Sequence, residues 1–171
     1  MTTTNYIIPG NVAEHSEEGG IAWNHIRGSI GDGAGWSCAI TNKELHTIPG
    51  LWQERFASKT NQLWFTDFNF PSAGTIQGIE VQFNVQRLDR LQDYIVRLCL
   101  NGELIGDNIA TPDIIDLKTY GSSTNLWSTS LTMADVADAS FGVAISLRSN
   151  VTIPHKDLGN INQVAMRVTY A

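Results

Sequence analysis

Apolar and polar residues alternate strictly in the middle of the chain. Single polar residues separate four apolar ones: Ile79, Val81, Phe83 and Val85. This period of two is typical of a strand with one buried and one solvent-facing side. A slip of one residue in pairing would move all four apolar side chains into water, so the pattern also fixes the register. We expect residues 76–87 to form the central strand of the fold.

Shorter runs of the same kind predict seven further strands, and Tyr94, Val96, Leu98 and Leu100 are expected on one face of theirs. These predicted strands cover residues 36–40, 63–70, 94–100, 103–105, 126–130, 141–147 and 162–170. Asn101-Gly102 is a strong signal for a tight turn, and residues 106–123 are interpreted as a loop. Thr132 is expected to cap one short helical turn, with Asp135 in its first turn. The prediction is an all-β fold, an antiparallel β-sandwich or jelly roll of about eight strands.

Two segments do not fit the sandwich pattern and divide the chain into an extension, a domain and an insertion. Residues 1–20 are interpreted as an N-terminal extension or arm, and residues 21–171 as the β-sandwich domain with an inserted loop at 42–62. The arm is either a frayed terminus or a segment that binds a neighbour by strand addition. Its candidate partner-binding residues are Tyr6, Ile7 and Ile8. The inserted loop either covers one end of the sandwich or presents Leu51 and Trp52 to a partner.

Composition narrows the classes of function. The 171 residues are 42% apolar and only 16% charged, against about 25% charged in a typical domain. Part of the surface is therefore either covered by partners or kept wet by uncharged polar residues. The net charge of −6 argues against nucleic-acid binding. No apolar run predicts a membrane span, no secretion signal is recognised, and Cys38 and Cys99 are expected to stay reduced.

No motif in the sequence points to catalysis, a metal or a cofactor. The four histidines have no partner at metal-ligand spacing: His15, His25, His46 and His155. Two acidic pairs are interpreted as solvated turn residues: Asp89 with Asp93, and Asp113 with Asp116. Trp127 is either a core residue or, as the alternative, a platform on which a sugar could stack. We therefore predict no enzyme, no cofactor and no catalytic residue.

Several runs together resemble a known family. These are FNFPSAGTIQG at 68–78, IEVQFNVQR at 79–87, VRLCLNGELIGDNIA at 96–110, YGSSTNLW at 120–127, FGVAISL at 141–147 and VAMRVTY at 164–170. In this order they resemble a β-sandwich domain that recurs in the virion proteins of tailed bacteriophages and in some large bacterial surface proteins. The likeness covers about residues 21–171. Ser122 and Asn125 depart from the family pattern, which often has Gly and Asp at these positions.

The resemblance implies a structural role without catalysis. Its shared positions would be framework residues: Phe70, Pro71, Gly78, Tyr120, Leu126, Trp127 and Phe141. It implies a component of the virion, assembled in the host cytoplasm, and first an outer capsid decoration or cement protein that clamps neighbouring subunits. The expected partners are the major capsid protein or other virion proteins. Copies of this chain are expected to form a homo-oligomer, which by analogy would be a trimer. The alternatives are a tail or baseplate protein and a carbohydrate- or receptor-binding module.

Overall fold

The computed structural model describes residues 1–18, 20–23, 39–40, 43–44, 59–87, 91–112, 117–149, 156–157 and 159–171. Within these ranges the chain forms fourteen strands and one helix, α1 (Met133–Ala137). The strands are β1 (Thr2–Thr3), β2 (Asn11–His15), β3 (Gly20–Ile21), β4 (Ala39–Ile40), β5 (Lys43–Glu44), β6 (Lys59–Thr60), β7 (Gln62–Thr66), β8 (Ile76–Arg87), β9 (Leu91–Leu100), β10 (Glu103–Ile105), β11 (Leu117–Ser122), β12 (Gly142–Ser149), β13 (Lys156–Asp157) and β14 (Gly159–Tyr170). The predicted all-β class is confirmed.

A five-stranded antiparallel sheet holds the central strand that the sequence predicts. β8 lies between β14 and β11, and the outer edge of β14 pairs with β1 and, further along, with β4. The alternation in β8 has the predicted effect, because Ile79, Val81, Phe83 and Val85 are all completely buried. The opposite face of β8 carries Glu80, which pairs across the sheet with Arg167 of β14.

A seven-stranded sheet packs against the first one. β12 lies at its centre, with β9 and then β10 on one side and with β7 and β6 on the other. β2 adds to β7 in antiparallel fashion, and β3 adds to β6 in parallel fashion. The core between the sheets contains Val143 and Ile145 of β12 opposite the apolar face of β8. A separate antiparallel pair joins β13 to β5.

The N-terminal segment adds a strand to each sheet. Residues 2–3 pair with the end of β14, and residues 11–15 pair with β7. Residues 1–20 show no alternating pattern of their own. They can still form strands at the sheet edges, because their backbone groups hydrogen-bond to a partner strand. The predicted boundary at residue 20 stays a prediction, since the structure places both sides of it against the same sheets.

One predicted strand is shorter than expected, and residues 126–130, predicted as another, do not form a strand. β7 ends at Thr66 because Asp67 and Asn69 adopt positive φ angles of 62° and 54°, so the predicted strand at 63–70 is too long. The predicted strand at 126–130 is wrong for the same reason. Trp127 and Ser128 have φ angles of 56° and 57°, and the chain turns there.

The interpretation of residues 106–123 as one loop is also wrong, because β11 lies within it. The sequence of β11 does not show the pattern expected of a strand. Leu117 is 54% exposed while Lys118 is buried, so the apolar side chain faces outward and the charged side chain faces inward. The strand is nevertheless fixed by six residue pairs with β8, from Leu117 opposite Asn84 to Ser122 opposite Ile79.

A β-bulge in β9 changes which side chains enter the core. Between Ser146 and Leu147 the register of β12 against β9 shifts, so that Leu147 faces Asp93 and Tyr94 is the extra residue. Val96 and Leu98 lie in the core as predicted. Tyr94 does not join them, because its ring lies beside the cations of Lys59 and Arg148. The bulge therefore turns Asp93 inward.

The predicted turn and helix cap are both confirmed. Asn101 and Gly102 have φ angles of 54° and 80°, as a tight hairpin turn requires, and they join β9 to β10. The Thr132 side chain accepts a hydrogen bond from the Asp135 backbone N–H, and the Asp135 carboxylate accepts one from the Thr132 backbone N–H. This reciprocal capping box begins α1, which places Met133 and Val136 in the core.

Candidate functional site

The candidate partner-binding residues at the N-terminus lie along the edge of β14. The Ile7 backbone N–H donates to the Met166 carbonyl at 2.8 Å, and the Met166 N–H donates to the Ile7 carbonyl at 2.9 Å. Because side chains alternate along an extended segment, Ile7 packs against the core while Ile8 is 54% exposed. Tyr6 lies over the Arg167 guanidinium, 4.6 Å from ring centroid to Cζ. In this chain the segment is thus added to its own sheet.

A polar network ties down the next part of the N-terminal segment. The Asn61 side chain donates to the Glu14 carboxylate at 2.9 Å and accepts from the Glu17 backbone N–H at 3.1 Å. The Trp23 indole N–H donates to the Asn61 carbonyl at 2.7 Å. Glu17 also forms an ion pair with Lys59, 2.7 Å from Nζ to Oε2. These contacts hold Glu14, Glu17 and Trp23 against the short strands of the seven-stranded sheet.

The other two candidate partner-binding residues, Leu51 and Trp52, lie outside the described residues, as does most of the inserted loop 42–62. Of the histidines, only His15 lies within them. Its ring stacks on the Trp64 ring at a centroid distance of 3.9 Å. Cys38 is likewise outside the described residues, whereas Cys99 is a buried free thiol whose pKa is raised to about 12 by burial.

Trp127 cannot serve as a sugar platform in this fold. Its side chain is 1% exposed, and its indole N–H donates to the Ile79 carbonyl at 3.1 Å. Gly121, with φ of 81°, allows this approach, because a Cβ atom there would collide with the indole nitrogen and the Ile79 carbonyl. The core interpretation of Trp127 is correct, and the sugar-stacking alternative is wrong for this residue, since both faces of the ring are covered.

The structure brings together a buried charged cluster that the sequence did not indicate. Asp93 of β9 and Lys118 of β11 come from opposite sheets, and the Lys118 Nζ lies 2.8 Å from the Asp93 Oδ2. The side chains are only 4% exposed for Lys118 and 0% for Asp93. The interpretation of Asp93 as a solvated turn residue is therefore wrong. The β-bulge at Tyr94 turns the Asp93 side chain inward, and no pattern in the sequence predicts this bulge.

Tyr120 completes this cluster. Its hydroxyl donates a short hydrogen bond to the Asp93 carboxylate and lies 3.3 Å from the Lys118 Nζ. The Tyr120 ring stacks on Phe83 at a centroid distance of 5.6 Å. Burial, together with the hydrogen bond to Asp93, raises the pKa of the Tyr120 phenol well above its usual value. Tyr120 is thus more than the framework aromatic that the resemblance implies.

A shallow pocket of about 340 Å³ lies beside this cluster. Its lining includes Ile109, Thr111, Leu117, Lys118 and Tyr120. The Thr111 carbonyl accepts a hydrogen bond from the Lys118 ammonium at 3.2 Å, so the charged end of Lys118 is engaged by protein groups on several sides.

The described residues show no arrangement of His, Cys, Asp or Glu that could hold a metal ion. Over the same part of the chain, no helix has the length and apolar character of a membrane-spanning segment. No protein-family model matches the chain, and no curated protein or solved structure matches it significantly. The function must therefore be argued from the fold and from the contacts described above.

Proposed function

We propose that this protein is a non-enzymatic structural component of a tailed bacteriophage particle, and that it decorates the outer capsid as a cement protein. The observation that supports this most is the way the N-terminal segment is held. It binds by strand addition to the edge of β14, and it leaves Ile8 54% exposed. Strand addition at an edge is a mode by which an extended segment can also bind a neighbouring subunit.

The proposed clamp uses this edge in two ways. The N-terminal segment covers β14 in its own chain, or it is exchanged so that it covers β14 of a neighbouring copy. Exchange of an identical element keeps every contact of the single chain, including the pair between Tyr6 and Arg167, and so costs little. Many copies on a symmetric shell need only weak individual interfaces, because simultaneous attachment multiplies their effect.

The charge supports a position on the outside of the shell. A net charge of −6 is unfavourable next to packaged DNA. The proposed partners are therefore the major capsid protein or other virion proteins, with copies of this chain as neighbours and a trimer as the proposed assembly. The virion is the proposed location, after assembly in the host cytoplasm.

Cosedimentation with bare phage shells tests this proposal. We would compare the intact protein with Ile8→Ser and with Leu117→Ser, a matched control because both residues are 54% exposed. Losing the burial of half an isoleucine side chain costs about 1 kcal/mol per contact. We expect saturable binding of the intact protein and of Leu117→Ser, and an apparent Kd raised several-fold for Ile8→Ser.

Two outcomes would contradict the proposal. If the intact protein does not bind shells, capsid decoration is wrong, and tail or baseplate particles become the next binding partners to test. If both variants bind as the intact protein does, the N-terminal segment is not the clamp. A glycan array would then examine the alternative of a carbohydrate- or receptor-binding module, which has lost Trp127 as its platform.

A further inference from the structure

The buried pair of Asp93 and Lys118 has the geometry of two reactants. The Lys118 Nζ lies 2.8 Å from the Asp93 Oδ2, and the carbon that the amine would attack, Cγ, is bonded to this oxygen, so attack needs only a small movement. The two side chains come from β9 and β11, which belong to different sheets. A bond between them would join the two layers of the sandwich.

Both reacting groups lie almost completely out of contact with water. Neither side chain is more than 4% exposed, and the neighbouring rings of Tyr120 and Phe83 stack on each other. Removing two charges from water is costly even when they form a pair. An amide bond between the same two groups carries no charge, so its formation would leave no charge to be kept out of water at this site.

The Tyr120 hydroxyl is placed to carry a proton between the two groups. It donates a hydrogen bond to the Asp93 carboxylate and lies 3.3 Å from the Lys118 nitrogen. A group in contact with both reactants can pass a proton from the amine to the departing oxygen. The Thr111 carbonyl, 3.2 Å from the same nitrogen, holds the amine in place.

We propose that Lys118 and Asp93 form an intramolecular amide bond. A proton first moves from the Lys118 ammonium to the Asp93 carboxylate, which gives a neutral amine and a neutral acid. The Nζ lone pair then attacks the Asp93 Cγ, and the C–N bond forms. The C–O bond to the hydroxyl breaks, and the hydroxyl leaves as water with a second amine proton relayed by Tyr120. Nothing is oxidised or reduced, and one ammonium and one carboxylate become one amide and one water.

The pocket beside the cluster gives the released water a way out. Lys118, Tyr120 and Thr111 all belong to its lining, and its volume of about 340 Å³ exceeds the space that one water molecule needs. This inference does not depend on the proposed role in a phage particle.

The mass of the denatured intact protein tests the bond directly. We expect the wild-type chain to weigh less than its sequence mass by one water. After trypsin digestion, we expect a branched peptide that joins residues 91–97 to residues 98–148, with no cleavage after Lys118. A wild-type chain that keeps its full sequence mass after prolonged incubation would show that the pair remains an ion pair and overturn the proposal. A water loss that maps to other residues would overturn it as well.

A second ion pair in the same molecule is a matched control. Lys59 and Glu17 are equally close, 2.7 Å from Nζ to Oε2, but their side chains are 26% and 13% exposed. We expect no branched peptide from this wetter pair. Lys118→Arg keeps the charge but cannot form the bond, so its mass should equal its sequence mass. Tyr120→Phe should leave a larger unreacted fraction than wild type at every time point, and an unchanged fraction would remove Tyr120 from the mechanism.

Discussion

The two edges of the five-stranded sheet are protected in opposite ways. At the β11 edge, side chains from the other sheet reach across the core, and Lys118 and Tyr120 meet Asp93 with almost no exposure to water. At the β14 edge, protection comes from backbone hydrogen bonds to the N-terminal segment, such as those between Ile7 and Met166. One edge is therefore held by burial of specific side chains, and the other mainly by backbone pairing with the N-terminal segment.

Because of this difference, the β11 edge contributes to the stability of the sheet, whereas the β14 edge is where an outer strand could be exchanged. An inward-facing charge on an edge strand discourages further strand pairing, because pairing partners would have to accommodate it. Lys118 is this inward-facing charge at β11 as long as the proposed bond to Asp93 has not formed. The β14 edge carries no such charge toward the core, since Val164, Met166 and Val168 are all completely buried. An exchangeable clamp is thus more plausible at β14 than at β11.

The largest expected effect comes from removing one member of the β11 cluster. Lys118→Met removes the ammonium that lies 2.8 Å from the buried Asp93 carboxylate, and the non-covalent loss alone should be about 3–5 kcal/mol in the free energy of unfolding. Urea denaturation measures this change. The double variant Lys118→Met with Asp93→Leu is the control, and it should recover most of the loss, because both buried charges are removed together. Equal losses in the single and double variants would mean that the charge pair is not what locks this edge.

A smaller effect is expected where the N-terminal segment is tied down. Asn61→Ala removes the hydrogen bonds to Glu14 and to the Glu17 backbone N–H, which should cost about 1–3 kcal/mol. Asn11→Ala is the control, since Asn11 is exposed and its bond to Thr66 is long at 3.5 Å. It should change stability by no more than about 0.5 kcal/mol. Hydrogen exchange of the β2 amides should rise in Asn61→Ala, and similar rates in both variants would contradict this role of the network.

The smallest expected effect is a pH dependence of stability, and it comes from the ion pair between Lys59 and Glu17. The hydrogen bond to Glu17 raises the pKa of Lys59 above its usual 10.5. The contribution of this pair is therefore fully present below pH 10.5, and it is lost as the pH rises through the higher pKa of the folded state. Its size should be about 0.2–1 kcal/mol, as for other partly exposed pairs.

The variant Lys59→Arg sharpens this measurement, because arginine stays charged over the same pH range. As the pH rises above 10.5, the midpoint of thermal unfolding should therefore fall slightly more for the wild type than for Lys59→Arg. Identical alkaline profiles for the two proteins would show that the pair contributes nothing to the attachment of the N-terminal segment.

The sequence predicts the parts of this fold in which one face is consistently apolar. β8 and β14 are examples, because Val81 and Met166 belong to unbroken alternating runs and are completely buried. The Asn101-Gly102 turn and the Thr132 cap were also predictable, since each depends on residues next to it in the chain. Local chemistry is visible in a sequence whenever it does not require a distant partner.

The sequence fails to predict features that depend on distant contacts. β11 was missed because Lys118 lies inside, which is possible only with Asp93 opposite it. The bulge at Tyr94 inverts the expected direction of Asp93, and it is defined by the register against β12 rather than by any neighbouring residue. β1 and β2 were missed because they complete the edges of strands far away in the sequence. The charged cluster follows from the first two of these long-range effects, the placement of β11 and the bulge in β9.

The pairing of Thr2 with Tyr170 has a mechanical consequence. Tension applied to these two residues would load the ladder between β1 and β14 at its end, so the bonds would open one after another like a zipper. Peeling would reach Ile7 before it disturbed the strands of the core. The link between Asp93 and Lys118 would bear no force at this stage. The molecule would therefore yield first at the edge that its own N-terminal segment covers.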